Sequence, residues 1–238
     1  FQTARELNGL TMGAVGRGTT IEFVEVFGSS DDGFEWWGGT VNTRHLVAAF
    51  CEDDDFDTDQ GYRGTNQFWF GIKPPWTGST DSRGFETDGD LYQTATQTNF
   101  PISQWVVYNA TMIGRGTNES AVSLGIGWNE RDEAAPNVIN SVITDFRWGL
   151  LMDSDGVLYF TNTPPEGNAL NNIWGVLIPT NTANGGFLFT DVTRSNTVEN
   201  PLLGGVSYSQ NLKLNPRPQA GSPALTHVLP GAPEAVDY

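Results

Sequence analysis

The chain has 238 residues, with 28 Gly, 13 Pro, 8 Trp, 6 Tyr and 14 Phe, and sets 12 basic against 28 acidic side chains for a formal charge of −16. That length admits one large all-β domain and forces no second one. A field of this sign repels phosphate backbones and anionic bilayers, which argues against nucleic acid and membrane insertion and for cations as partners.

The sequence is poor in helix-forming Ala, Leu, Lys and Glu and rich in glycine and aromatics, a balance that favours short strands joined by turns. No apolar run approaches the roughly 18 to 20 residues of a membrane span. Cys51 is the single cysteine, so no intrachain disulfide forms. The chain opens at Phe1 without a Met and closes on EAVDY, and it reads as a fragment of a longer precursor.

Taken in order, residues 20–28, 43–51, 66–73, 104–114 and 137–147 are β-branched or aromatic with partial alternation and are bounded by Gly, Thr or Asn, the signature of strands. A second series interleaves with them. Gly33-Phe34-Glu35-Trp36-Trp37, Asp55-Phe56-Asp57-Thr58-Asp59 and Gly84-Phe85-Glu86-Thr87-Asp88 share a Phe followed by an acid, with Phe56 22 residues after Phe34 and Phe85 29 after Phe56. Weaker copies fall at 125–129 and 149–153, where Ile126 and Leu150 take the Phe position and the acid is lost.

Two strands per repeat of roughly 22 to 24 residues make one coil of a solenoid, because a single coil cannot bury its own apolar face. A sandwich would alternate strands every 8 to 12 residues through hairpin turns. Asp32-Gly33 and Asp155-Gly156 instead lie inside the repeat and read as coil corners. The expected fold is therefore all-β, a single-stranded parallel β-helix with loop insertions at 73–83 and 114–136 and an irregular C-terminal cap. One domain spans 1–238, with repeat coils at about 7–160 and irregular final coils and a capping tail at about 161–238. Residues 170–179 read as a last strand and 187–192 as another. The Pro-rich tail from Leu214 is expected to lie along the last coil and cover its open edge.

The DDGFE-x-x-GGTVN and DDDFD-x-D-x-G combination within 7–70, with the later GFETDG, NVINSVITDFRWGLLMD and NPRPQAGSPAL, resembles the repeated core of large secreted right-handed parallel β-helix proteins of bacterial surfaces. The resemblance covers most of the chain. It implies a right-handed β-helix in a secreted, extracellular or cell-surface setting, with structural or adhesive roles and end-to-end or lateral self-assembly. Members are mostly uncharacterised and share their architecture with pectate and alginate lyases and polygalacturonases, and shared fold does not confer activity.

Stacked coils place equivalent residues about 4.8 Å apart. Glu35, Asp57 and Glu86 then form a ladder of like charges, with Asp59 beside Asp88, and adjacent bare carboxylates repel by roughly 3 kcal/mol at an effective dielectric near 20. Three counter-charges suit the ladder: calcium, which accepts mixed oxygen ligands; protons, through raised carboxyl pKa values; or the guanidinium groups of Arg44, Arg63 and Arg83. Asp31, Asp32, Asp53, Asp54 and Asp55 sit at the preceding turn. The candidate metal set is accordingly Asp31, Asp32, Glu35, Asp53, Asp54, Asp55, Asp57, Asp59, Glu86 and Asp88. The competing reading makes these acids corner residues that cap backbone amides.

His45, His227 and Cys51 cannot assemble a usual zinc set. The Phe34, Phe56, Phe85 series reads as an inward stack, whereas Trp36 and Trp76 are candidates for stacking on sugar rings against a default of burial. A lyase would draw its base from Arg44, His45, Arg63, Lys73 or Arg83. A glycosidase would need two opposed carboxylates at about 5 or 9 Å, from Asp31, Asp32, Asp54 and Asp55. Nucleophile-elbow, zinc-helix and phosphate-loop motifs are absent, and no catalytic residue is assigned. The expected function is an extracellular or cell-surface structural or adhesive solenoid with calcium in its acidic coils, and itself or an extracellular glycan as partner. The alternative is a calcium-dependent polysaccharide lyase or glycoside hydrolase.

Overall fold

A computed structural model describes residues 7–75, 82–89, 101–118, 125–208 and 213–227. Its strands follow the coil pattern in chain order. The first three coils are β1 (Leu10–Gly13) with β2 (Ile21–Phe27), β3 (Phe34–Trp37) with β4 (Thr43–Ala49), and β5 (Phe56–Asp59) with β6 (Thr65–Ile72). The next are β7 (Arg83–Thr87) with β8 (Val106–Tyr108) and β9 (Thr111–Ile113), then β10 (Ile126–Glu130) with β11 (Asn137–Ile139) and β12 (Val142–Thr144). The series continues with β13 (Trp148–Met152), the short helix α1 (Val157–Thr161), β14 (Asn168–Leu170), β15 (Ile173–Gly175) and β16 (Ile178–Thr180). The first strand of each coil adds to one parallel sheet, in the order β1-β3-β5-β7-β10-β13-β16, and the later strands add to a second. The fold is a parallel β-helix.

Alternation explains what each strand buries. Phe34, Trp36, Phe56 and Phe85 point inward and are fully buried, so their i+1 neighbours must face outward. Phe34 and Phe56 stack at 5.5 Å with 6° between their planes, Phe56 lies on Trp69 at 4.5 Å, and Phe85 follows at 6.1 Å. The Phe series is thus the inward stack read from the repeat. Each such ring contributes roughly 2 to 3 kcal/mol by leaving water. Trp36 lies within this core and presents no face to a sugar; Trp76 lies outside the described residues. Coils close tightly: a Cβ on Gly33 would lie 2.7 Å from the Asp55 carbonyl and 2.8 Å from the Ala48 Cβ, so only glycine fits that corner.

Four expectations need correction. Trp128, rather than Ile126, pairs with Phe85, while Ile126 pairs with Arg83. The larger indole fills the core column, and β10 shifts by two residues against the sequence alignment. Residues 126–130, expected partly as loop, therefore form a strand. Residues 170–179 contribute to three short strands rather than one.

Residues 187–192 hold not a strand but the helix α3 (Phe187–Thr190), which follows α2 (Thr182–Gly185). At the end of the helix no further coil offers ladder partners, so the backbone satisfies itself locally, as in Phe189 N–H donating to the Gly186 carbonyl. Leu188 is buried there, and Phe189 packs edge-on against Trp174 at 5.1 Å. The described part of the Pro-rich tail reaches the last coil: the His227 carbonyl accepts from the Asn171 amide at 3.2 Å, and the His227 ring nitrogen lies 2.8 Å from the Ser195 carbonyl. In β17 (Leu203–Gly205) and between it and its antiparallel partner β18 (Asn215–Pro218), Leu203, Val206, Tyr208 and Leu214 lie against Ala49, Ile72, Ile113, Phe50 and Phe70 along the side of the second sheet. Among the described residues no helix is long and apolar enough to cross a membrane.

Candidate metal centre

The acids sit on the outer face of the first sheet and at the corner that feeds it. Glu35 pairs in register with Asp57, and Asp57 with Glu86. The Asp88 N–H donates to the Thr58 carbonyl, which carries Asp88 to the level of Asp59. The expected ladder therefore exists. Although these side chains point away from the core, Glu35, Asp57, Asp59, Glu86 and Asp88 are all buried.

The corner accounts for two of them in the way the capping reading requires. The Asp54 N–H donates to Asp32 Oδ1 at 3.1 Å, and the Arg83 N–H to Asp54 Oδ1 at 2.7 Å, so each acid caps an amide one coil further on. Asn8 opens the same series by accepting from the Asp32 N–H at 3.2 Å and also donates to Glu35.

Counter-charge is distributed unevenly. Glu86 lies 2.7 Å from Arg83 and 3.3 Å from Arg131, and Arg131 grips Asp88 with two bonds, one of them 2.6 Å. Arg83 also reaches Asp54 at 3.3 Å. Lys73 and Asp55 form a fully buried pair at 3.1 Å. Arg44 does not serve the ladder: it pairs with Glu22 at 3.0 Å on the second sheet. His45 stacks between Phe23 and Phe68 at 4.4 and 4.8 Å, and Arg63 is exposed. The basic residues proposed as catalytic thus divide, and among the described residues only Arg83 of that set reaches the ladder.

At the other end three carboxylates meet without a cation. Asp32, Glu35 and Asp57 each place one oxygen within 4.8 Å of the other two, and Asp31, Asp32 and Asp53 do the same, with Asp32 common to both sets. Asp57 makes no hydrogen bond or ion pair with the described residues, and its Oδ1 is wholly enclosed. Asp59 Oδ1 is likewise enclosed without a partner.

Burial, then Asp32, Glu86, Asp54 and Asp59, push Asp57 well above the carboxylate range. Burial and Asp54 lift Asp32 to about 9. Burial and Asp88 lift Asp59 to about 7, and burial and Asp54 lift Glu86 to about 8 against the pull of its arginines. Each raised value says that the folded protein resists holding these charges bare.

Of the ten expected ligands, the structure brings Asp31, Asp32, Glu35, Asp53 and Asp57 together. Asp54, Asp55, Glu86 and Asp88 are tied instead to Arg83, Lys73 and Arg131. Two opposed sugar-cleaving carboxylates from Asp31, Asp32, Asp54 and Asp55 do not survive, since Asp54 and Asp55 are each engaged by a cation. Sequence reasoning missed Arg131 for a specific reason: with Ile126 in the Phe column, residue 131 falls out of line with Asp88, and with Trp128 there it stands beside it. It also missed Glu130, which points inward in the column of Thr87 and Met152, fully buried with both oxygens unpartnered among the described residues.

The family described as pectate-lyase-like β-helix domain matches residues 1–199. No curated protein and no solved structure matches the chain.

Proposed function

The chain belongs to the family of pectate-lyase-like β-helix domains, and on that premise we propose that it is an extracellular structural or adhesive β-solenoid whose first coils are tied together by calcium held between Asp32, Glu35 and Asp57. The observation that carries this reading is Asp57, a buried carboxylate with no side-chain partner among the described residues, facing two other acids within 4.8 Å. An acid in that position needs a cation or a proton. Three hard oxygen donors from consecutive coils, with Asp31 and Asp53 adjoining, match the high and flexible coordination number of calcium. A bound ion would replace roughly 3 kcal/mol of repulsion per carboxylate pair with attraction.

The test is thermal unfolding with calcium and with a chelator, in the native sequence and in Asp57→Asn. A midpoint several degrees higher with calcium, lost in the variant, supports the reading; an unchanged midpoint in the native protein removes it.

A second reading is polysaccharide hydrolysis on the same face. It draws on one contrast, Asp59 pushed up to about 7 by burial and Asp88, while Arg131 grips Asp88 through two hydrogen bonds, so that a carboxyl able to donate a proton adjoins one engaged by a guanidinium. It ranks second because Asp59, Glu86 and Asp88 are 4%, 8% and 3% exposed and leave little surface for a glycan. New reducing or unsaturated ends after incubation with pectate, alginate and neutral glycans would reverse that order.

A further inference from the structure

Away from the acid ladder, a cavity of about 460 Å3 opens where the chain returns across the ends of β12 and β15. Its floor is Thr144, Gly175 and the buried Trp174, and the segment 198–206 forms the opposite wall. That wall is built in. The Ser222 hydroxyl donates to the Pro201 carbonyl, the Tyr208 hydroxyl to the Gly114 carbonyl, and β17 pairs with β18. Thr197 bridges to Ile173, which anchors the near end. A cavity held open by such contacts is pre-organised, so a ligand need not order it on binding.

The lining has two characters. Val176, Val198, Leu203 and Val206 supply an apolar side. Asp145, Glu199, Asn200 and Thr117 supply polar groups, and among the described residues no lining residue is basic. The Asp145 side chain makes no hydrogen bond or ion pair with the described residues, its backbone being fixed by the Gly116 N–H and the Gly175 carbonyl, and burial holds its carboxyl above the usual range. Asn200 accepts at Oδ1 from the Leu202 N–H, which leaves its amide hydrogens for a ligand.

We propose that this cavity is a binding site for one sugar ring that carries no negative charge. A hexose-sized ring offers hydroxyl donors to the Asp145 and Glu199 carboxylates, an acceptor to the Asn200 amide and a C–H face to the valines. Small-ligand sites of this size combine an apolar lining with a few convergent polar groups in that way. A uronate would bring its carboxylate against Asp145 and Glu199 with no cation to mediate, so the site discriminates against acidic sugars. The site shares no residue with the calcium proposal and stands independently of it.

Saturation-transfer NMR with glucose, galactose, mannose, glucosamine and galacturonate tests the assignment in native protein and in two variants. Asp145→Asn keeps the left-handed backbone that Asp145 adopts at φ 60°. Val198→Trp fills the half-exposed rim. The expected result is millimolar binding of at least one neutral or amino sugar, weakened tenfold or more in both variants and unchanged by chelator, with galacturonate silent. Circular dichroism melts of both variants establish that they are folded. Absence of any sugar signal, binding undiminished in the folded variants, or galacturonate binding as tightly as a neutral sugar would each overturn the proposal. A chelator-insensitive melt of the native protein would instead remove the calcium reading and leave this one standing.

Discussion

The two halves of the acid ladder meet the same electrostatic problem with different chemistry. From β7 onward the protein supplies counter-charge from its own side chains: Glu86 and Asp88 lie against Arg83 and Arg131 at 2.5 to 3.3 Å. Across β3 and β5 the described residues supply none, and Asp32, Glu35 and Asp57 converge within 4.8 Å. A solenoid repeats its backbone far more faithfully than its side chains, so one strand position can be a salt bridge in one coil and a cation cradle in the next. The arginine half draws its counter-charge from the chain itself, whereas under the proposed function the other half depends on a cation from solvent.

The largest effect expected from breaking this contrast lies at the corner where the two halves join. Lys73 and Asp55 are both fully buried at 3.1 Å, and Lys73→Met leaves an uncompensated carboxylate whose cost is about 3 to 5 kcal/mol. Urea unfolding should register that loss, and pairing the change with Asp55→Leu should recover most of it. A single variant as stable as the native chain would show that the corner tolerates a bare acid.

The second effect is calcium itself. At a hundredfold excess over its dissociation constant the ion adds about 2.7 kcal/mol to stability. Asp57→Asn should abolish that increment while Arg131→Gln leaves it intact. Equal loss in both variants would merge the two halves into one site and sink the comparison.

How much of this was legible follows from which residues repeat. Phe34, Phe56 and Phe85 announce the coil because the core column demands a large ring at each turn, and from them the Glu35–Asp57–Glu86 register follows directly. Ile126 imitated the column by following a glycine, whereas the column is filled by Trp128, and the two-residue slip concealed Arg131. Side-chain volume decides there, and local pattern does not. The end of the helix was less legible still. Phe187–Thr190 is helical because no further coil accepts its backbone, a cause that lies outside the segment. That Lys73 reaches Asp55 while Arg44 turns to Glu22 depends on the route of each chain through its corner.

Acidity probes the whole ladder without a mutation. Asp32, Glu86 and Asp59 have folded values of about 9, 8 and 7, all above the values near 4 expected of an unfolded chain. Between these limits the folded state binds more protons than the unfolded one. The stabilisation from protonation is therefore complete below about pH 4 and is lost as pH rises towards about 9. In chelator the melting midpoint should fall across that window. Calcium requires deprotonated ligands, so its contribution grows with pH and should flatten the same curve. Parallel curves with and without calcium would mean that protons alone neutralise Asp32 and Asp57.

The smallest effect is also the sharpest test of equivalence. Arg131 is about one-third exposed, so screening limits its ion pairs with Glu86 and Asp88, and Arg131→Gln should cost only about 1 kcal/mol. What it changes is kind rather than size. With that guanidinium removed, Asp59, Glu86 and Asp88 become an outward acid group like Asp32, Glu35 and Asp57, still neighboured by Arg83 but no longer closed. If coil geometry alone makes the cation cradle, the variant should acquire a second, weaker calcium dependence, read as a further rise in midpoint at high calcium that Asp57→Asn does not abolish. If the variant merely loses stability with no new calcium response, the corner acids Asp31 and Asp53 are what convert a ladder into a site.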